Sequence, residues 1–239
     1  MAVDSKIGVL GGTVFKGSKL LSDFTRKQVS TKHGKVCVLE NDKIIFIPRH
    51  GLKENTPPHK INHHANITAL KKISVKHVIG ICSVGSLHRK YAPGSIAVPS
   101  DYLAFNKIPT FFDDATNHIT PSLDYELTQL IVECASDLKF KVFDGGVYVE
   151  TSGPRLETKA EVRFLSTIGD FVGMTLASEA TLAQEVGLPL AGICSVDNYA
   201  NGVVGEKLDF NEVVGNASEN SEKVFSIVSS VAEKILNAR

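Results

Sequence analysis

Ile7-Gly8-Val9-Leu10-Gly11-Gly12-Thr13 is an apolar run that stops on two glycines and a hydroxyl. The pattern predicts a short buried strand over Ile7 to Leu10 that delivers Gly11-Gly12-Thr13 at its carboxyl end. Glycines there let the backbone approach an anion, and the threonine hydroxyl can donate to it. The dinucleotide-binding pattern is excluded. Gly8, Gly11 and Gly12 have the wrong spacing for it. The lysine of a nucleotide-triphosphate loop is missing as well.

Further β-rich runs follow at Val36 to Leu39, Ile44 to Pro48, His77 to Cys82, Ser95 to Val98, Val147 to Glu150 and Leu190 to Val196. Helical periodicity marks Asn62 to Lys72, Ser122 to Leu138, Thr158 to Ile168, Leu176 to Glu185 and Asn211 to Asn237. The alternation predicts a three-layer α/β/α fold with a mixed, largely parallel central sheet. The last helix has Asp209 or Asn211 as its cap and an apolar stripe through Val213, Val224, Ile227, Val228, Val231 and Ile235. Phe111 to Pro121, crowded with Asp, Asn, Thr and Pro, predicts a long surface loop. No linker or internal repeat interrupts residues 1–239, so a single domain is expected.

Lys+Arg and Asp+Glu balance at 26 each, which gives no global pull toward nucleic acid or an anionic membrane. An anionic ligand must then be held by local groups. Cys37, Cys82, Cys134 and Cys194 are widely spaced, and three lie in apolar runs, a pattern that suits a reducing compartment. Met1 to Lys6 carries no apolar signal core and no run approaches bilayer length, so a cytoplasmic protein is expected.

Five further stretches carry chemistry. Ile44-Ile45-Phe46-Ile47 leads into Pro48-Arg49-His50-Gly51. The planar guanidinium fork suits phosphate and His50 could add a donor; the alternative is an Arg49 that caps backbone carbonyls. Cys82-Ser83-Val84-Gly85-Ser86 is another strand exit, whose backbone N–H groups could complete an anion nest. Gly153-Pro154-Arg155-Leu156-Glu157-Thr158 and Gly173-Met174-Thr175 precede Ser195-Val196-Asp197-Asn198-Tyr199-Ala200. This set suits a 6-oxopurine: a Glu157 carboxylate accepts the ring N–H, and the Asn198 amide donates to N7 or O6. Leu156 and Met174 can pack the flat ring faces. The plainer alternative makes Glu157 a solvated helix residue and Asn198 a turn residue. His59, His63 and His64 share helix spacing, yet no carboxylate or cysteine completes a metal set, so none is expected. A hydrolase using Cys82 or Ser83 lacks the Gly-x-Ser-x-Gly elbow.

In this order, Gly11-Gly12-Thr13, Arg49-His50-Gly51, Pro58-His59-Lys60-Ile61-Asn62, Val84-Gly85-Ser86-Leu87, Gly153 to Thr158, Gly173-Met174-Thr175 and Asn198-Tyr199-Ala200-Asn201-Gly202 resemble the trimeric purine nucleoside phosphorylase and methylthioadenosine phosphorylase family, over roughly Ile7 to Val228. The resemblance implies the phosphorylase fold and phosphate-dependent cleavage of a purine nucleoside to free base and ribose 1-phosphate. No cofactor is implied, inorganic phosphate being a co-substrate. It implies Thr13, Arg49, His50, Ser83 (mainly through its backbone) and Thr175 at the phosphate, Met174 under the ribose, and Leu156, Glu157 and Asn198 at the base. It likewise implies Asn198 and Glu157 as the catalytic pair. His118 resembles a residue that reaches into a neighbouring subunit's site, and a homotrimer or dimer of trimers is implied.

Relatives acting on 6-aminopurines carry aspartates where this chain has Asn198 and Ala200, so inosine, guanosine or 5′-methylthioinosine is expected. The alternatives are a 5′-methylthioadenosine phosphorylase, a nucleoside hydrolase that needs no phosphate, and a non-catalytic nucleoside-binding protein. Phe210 stands where hydroxyl-selective relatives have a histidine; its ring either welcomes a 5′-methylthio group or is a core residue. Val14 and Glu54 depart from the family pattern, which implies a different first loop and weaker phosphate binding.

Overall fold

The computed structural model describes residues 6–15, 18–52, 56–105, 108–205 and 210–238, with the backbone alone for 210–214. Among the described residues, eleven strands form one sheet: β1 (Ile7–Gly11), β2 (Thr25–Thr31), β3 (Gly34–Glu40), β4 (Ile44–Pro48), β5 (Val78–Ser86), β6 (Ile96–Val98), β7 (Asp101–Ala104), β8 (Val142–Asp144), β9 (Val147–Glu150), β10 (Phe171–Gly173) and β11 (Leu190–Tyr199). The helices are α1 (His63–Ile73), α2 (Tyr125–Asp137), α3 (Lys159–Leu165), α4 (Leu176–Glu185) and α5 (Phe210–Asn237). The expected α/β/α architecture with a mixed, largely parallel sheet is what forms. Core residues of α1 and α4 cover one face of the sheet and those of α2 and α5 the other. β1 and β5 are apolar and buried almost throughout because helices lie on both sides of them.

The central strand β5 decides where a ligand can sit. One of its edges pairs with β11 along its whole length, from Val78 with Leu190 to Ser86 with Tyr199. The other edge is shared. β1 runs parallel to it over Val78 to Gly80, and β10 arrives from the opposite direction to pair antiparallel with Gly85 and Ser86. Between these partners, Ile81 to Val84 have no strand beside them on that edge among the described pairings. The sheet therefore opens a crevice at a topological switch point, where α/β proteins place ligands.

Four strands, β2, β7, β8 and β10, lie outside the sequence expectation. β2 is an edge strand with polar, mostly exposed residues, and β8 and β10 are three residues long, too short for a period to register. β5 runs on to Ser86 and β11 to Tyr199, past a bulge between Val196 and Asn198. Phe111 to Pro121 is free of helix and strand. α5 begins at Phe210 and buries Val224, Ile227, Val228 and Val231. Asp209 and Glu54 lie outside the described residues, as do the side chains of Phe210, Asn211 and Val213. No described helix is long and apolar enough to cross a membrane.

Candidate active site

Arg49 fills the floor of the crevice. It is 5% exposed, and its Nη1 donates to the Ile81 carbonyl at 2.5 Å and its Nη2 to the Leu10 carbonyl at 2.6 Å, on the two strands that part there. Its Nε and Nη2 also donate to the Glu179 carboxylate, at 2.7 and 2.8 Å. Four N–H groups are thus spent on internal partners. The remaining one, on Nη1, faces Gly12: a Cβ at that glycine would lie 3.1 Å from Nη1 and 3.0 Å from His50 Nε2. Gly12 leaves the space in which an anion could meet both. Arg49 thus caps carbonyls, as the second alternative has it, and the one N–H it keeps toward Gly12 is a single donor, not a two-pronged fork.

His50 donates from Nδ1 to the Thr56 carbonyl at 2.7 Å, which fixes the ring with Nε2 toward Gly12. Thr13 opens a single 3-10 turn directly after β1; Val14 behind it packs into the core at 1% exposure. Thr175 precedes α4 without capping it. Its N–H and that of Leu176 donate to Tyr148 Oη instead, at 3.0 and 3.3 Å, and its hydroxyl lies 3.6 Å from Cys82 Sγ on β5. Ser83 lies on the stretch of β5 whose second edge is unpaired, near Asp197 of β11.

Glu179 sits at 0% exposure in the first half of α4. Burial pushes its carboxyl up to about 7 against the pull of Arg49. His63 lies beside it, Nδ1 3.9 Å from Oε1, and burial lowers that imidazole to about 3, so it is neutral. His64 instead donates from Nε2 to the Thr110 carbonyl at 2.8 Å. No group of histidine, cysteine, aspartate and glutamate suited to a metal occurs among the described residues.

Of the expected base-side residues, Glu157 lines a pocket of about 290 Å³, together with Phe105, Thr151, Gly153, Arg155 and Phe164 among others, whereas Leu156, Met174 and Asn198 do not line it. Glu157 is 8% exposed, one residue ahead of the Thr158 cap of α3. Thr151 Oγ1 donates to its Oε1 at 2.7 Å and Asn201 Nδ2 to its carbonyl at 3.1 Å, which leaves Oε2 for a ligand N–H. Thr158 and Glu161 form a reciprocal capping box, and Arg155 grips Glu161 with two hydrogen bonds of 2.8 and 2.7 Å. That grip holds the Glu161 carboxyl down at about 2. Gly153, at φ +62°, faces Met174 so closely that a Cβ would lie 2.5 Å from its sulfur. Met174 therefore joins the purine side to the crevice, its neighbour Thr175 standing in the latter.

Asn198 follows the β11 bulge. Its Nδ2 donates to the Tyr199 carbonyl at 2.8 Å and keeps a second N–H. Leu156 is exposed beside the pocket. His118 is exposed on a loop tied to the far end of α4: Gln184 holds Thr120 and Ser122, and Glu185 holds Thr110 and Phe111. Thr175 stands at the other end of that helix, roughly 15 Å away at 1.5 Å per residue. His118 is thus apart from the other site residues. Glu179, Thr151 and Tyr148 escaped the sequence reading. A lone acid within Leu176 to Ala183 was the one visible signal among them.

This chain belongs to the phosphorylase superfamily, whose family model matches residues 6–233. It is 41% identical over 234 residues to a probable 6-oxopurine nucleoside phosphorylase of Archaeoglobus fulgidus, with 96% of each chain covered. A probable S-methyl-5′-thioinosine phosphorylase of Methanocaldococcus jannaschii is 37% identical over 233 residues, covering 93% of this chain and 90% of that one. In fold it is similar to the methylthioadenosine phosphorylase of Schistosoma mansoni in complex with adenine, at a TM-score of 0.86 and 23% identity over 96% of this chain and 91% of the other.

Proposed function

We propose that this protein is a purine nucleoside phosphorylase that cleaves 6-oxopurine nucleosides with inorganic phosphate and uses no further cofactor. One observation carries the reading. The unpaired Ile81 to Val84 edge, flanked by Thr13, Arg49, His50 and Thr175, adjoins through Met174 the pocket that holds Glu157. Phosphate seated in the crevice attacks C1′ while the glycosidic bond breaks, and the ribosyl group passes through a state of oxocarbenium character. The chain supplies position and charge stabilisation rather than a nucleophile. Glu157 accepts the purine N–H, and Asn198 donates to N7 as the base departs. Adenine would set its N1 acceptor against the Glu157 carboxylate, a buried mismatch of about 1–3 kcal/mol. The similarity to a 6-oxopurine phosphorylase supports this preference.

A 5′-methylthioinosine substrate is the second reading, favoured by the similarity to a methylthioinosine phosphorylase. We place His118 at the site of a neighbouring copy in a trimer or dimer of trimers, because its loop is anchored away from this chain's own crevice. The free cysteines suit the cytoplasm. The deciding experiment is base release from inosine, guanosine, adenosine and their 5′-methylthio counterparts, with and without phosphate. The expected result is phosphate-dependent release of hypoxanthine and guanine. Equal turnover of adenosine, or release without phosphate, overturns the proposal.

A further inference from the structure

The residue inserted by the β11 bulge is Asp197, between Val196 opposite Val84 and Asn198 opposite Gly85. Its side chain is 0% exposed. Oδ1 accepts from Ser195 Oγ, which is itself held by Asn220 Nδ2 of α5 at 2.9 Å. The backbone carbonyl accepts from Asn216 Nδ2, also of α5, at 2.8 Å. Oδ2 is buried without a hydrogen-bond partner, and no lysine, arginine or histidine is paired with the carboxyl among the described residues. The neighbours presented by α5 and β5, Asn216, Asn220 and Ser83, carry no charge. The titratable group beside it is Cys194 on its own strand, whose thiol burial pushes well up.

A carboxylate with neither cation nor full hydrogen bonding is costly in such a place, and the proton is the remaining means of neutralising it. The residue lies next to Asn198, where the reading above has negative charge growing on the departing purine. A second negative charge there would oppose the bond cleavage that Asn198 assists.

We propose that Asp197 is a positioning residue that works as a neutral acid: protonated, it braces Asn198 against α5 and keeps the purine end of the site uncharged, and its ionisation slows turnover. This rests on the phosphorylase reading for its effect on rate, but not for its protonation. Burial pushes the group up to about 7, against the hydrogen bond from Ser195 and the nearby Ser83 hydroxyl, so its ionisation falls in an accessible range.

The test compares the whole protein with Asp197→Asn and Ser195→Ala. Infrared spectra near neutral pH should show a protonated-carboxyl band that Asp197→Asn lacks. With saturating inosine and phosphate, the kcat of Asp197→Asn relative to the parent should rise about tenfold between about pH 6 and about pH 8. The ionisation of phosphate is common to both and cancels. Ser195→Ala, which removes a hydrogen bond favouring the anion, should move the parent's falling limb to higher pH. Absence of the band difference, an unchanged limb in Asp197→Asn, or an unmoved limb in Ser195→Ala overturns the proposal. A band difference in a protein that releases no base would sink the phosphorylase reading, and with it the effect on rate, while the neutral acid stands.

Discussion

At the scale of single residues, Glu157 is a half-committed acceptor and Arg49 a nearly spent donor. Thr151 occupies one oxygen of Glu157 and leaves the other to the pocket. Glu157→Ala should lower kcat/KM for inosine by about 10–100-fold, the cost of one unpaired ligand N–H, while leaving KM for phosphate within a few fold. Thr151→Val should raise KM for inosine by about 3–10-fold with kcat little changed, because the carboxylate loses its rotational anchor. Arg49 depends on Glu179 in the same way. Glu179→Leu strands a buried cation and should cost about 3–5 kcal/mol in chemical denaturation, well beyond the effect of Glu179→Gln. Glu157 and Arg49 were legible because each stands in a short polar motif at a strand exit. Their supports were not. Glu179 lies 130 positions from Arg49 in sequence, and Thr151 is a threonine at a strand end like many others.

At the scale of elements, α4 orders two regions at once. Its amino end receives Tyr148 Oη and the Glu150 carboxylate, the latter through Ser178, and its carboxyl end clamps the loop that carries His118. Glu185→Ala removes two hydrogen bonds of 2.6 Å, to Thr110 and Phe111. Amide exchange over residues 108–122 should then quicken about tenfold, with the rest of the sheet unchanged. If His118 serves a neighbour's site, turnover should fall in parallel. The long helices and buried strands were visible as periodic runs, and α4 matched its expected span of Leu176 to Glu185. The bulge at Asp197 was hidden, because an extra residue in a strand shows itself only through the register of its partner.

At the scale of the whole molecule, two buried titratable groups couple the fold to pH. Asp197 is raised to about 7, so between its unfolded value and neutrality the native state holds a proton that the unfolded chain releases. Its contribution therefore declines as pH rises toward 7. His63, lowered to about 3, acts in the opposite sense: the unfolded chain binds its proton first as pH falls. Asp197→Asn should isolate the first effect. Its stability relative to the parent should improve by on the order of 3 kcal/mol between about pH 5 and about pH 8, measured by urea unfolding. The overall architecture was readable from the alternation of elements, whereas the crevice was not, since it arises from where β1 stops and β10 starts against a third strand. That arrangement constrains evolution of the chain's length. One residue more in β1 ahead of Gly12 would supply Ile81 with a neighbour, stitch the sheet shut and evict Arg49 from its carbonyls, so an insertion at that point should be far more damaging than one in any surface turn.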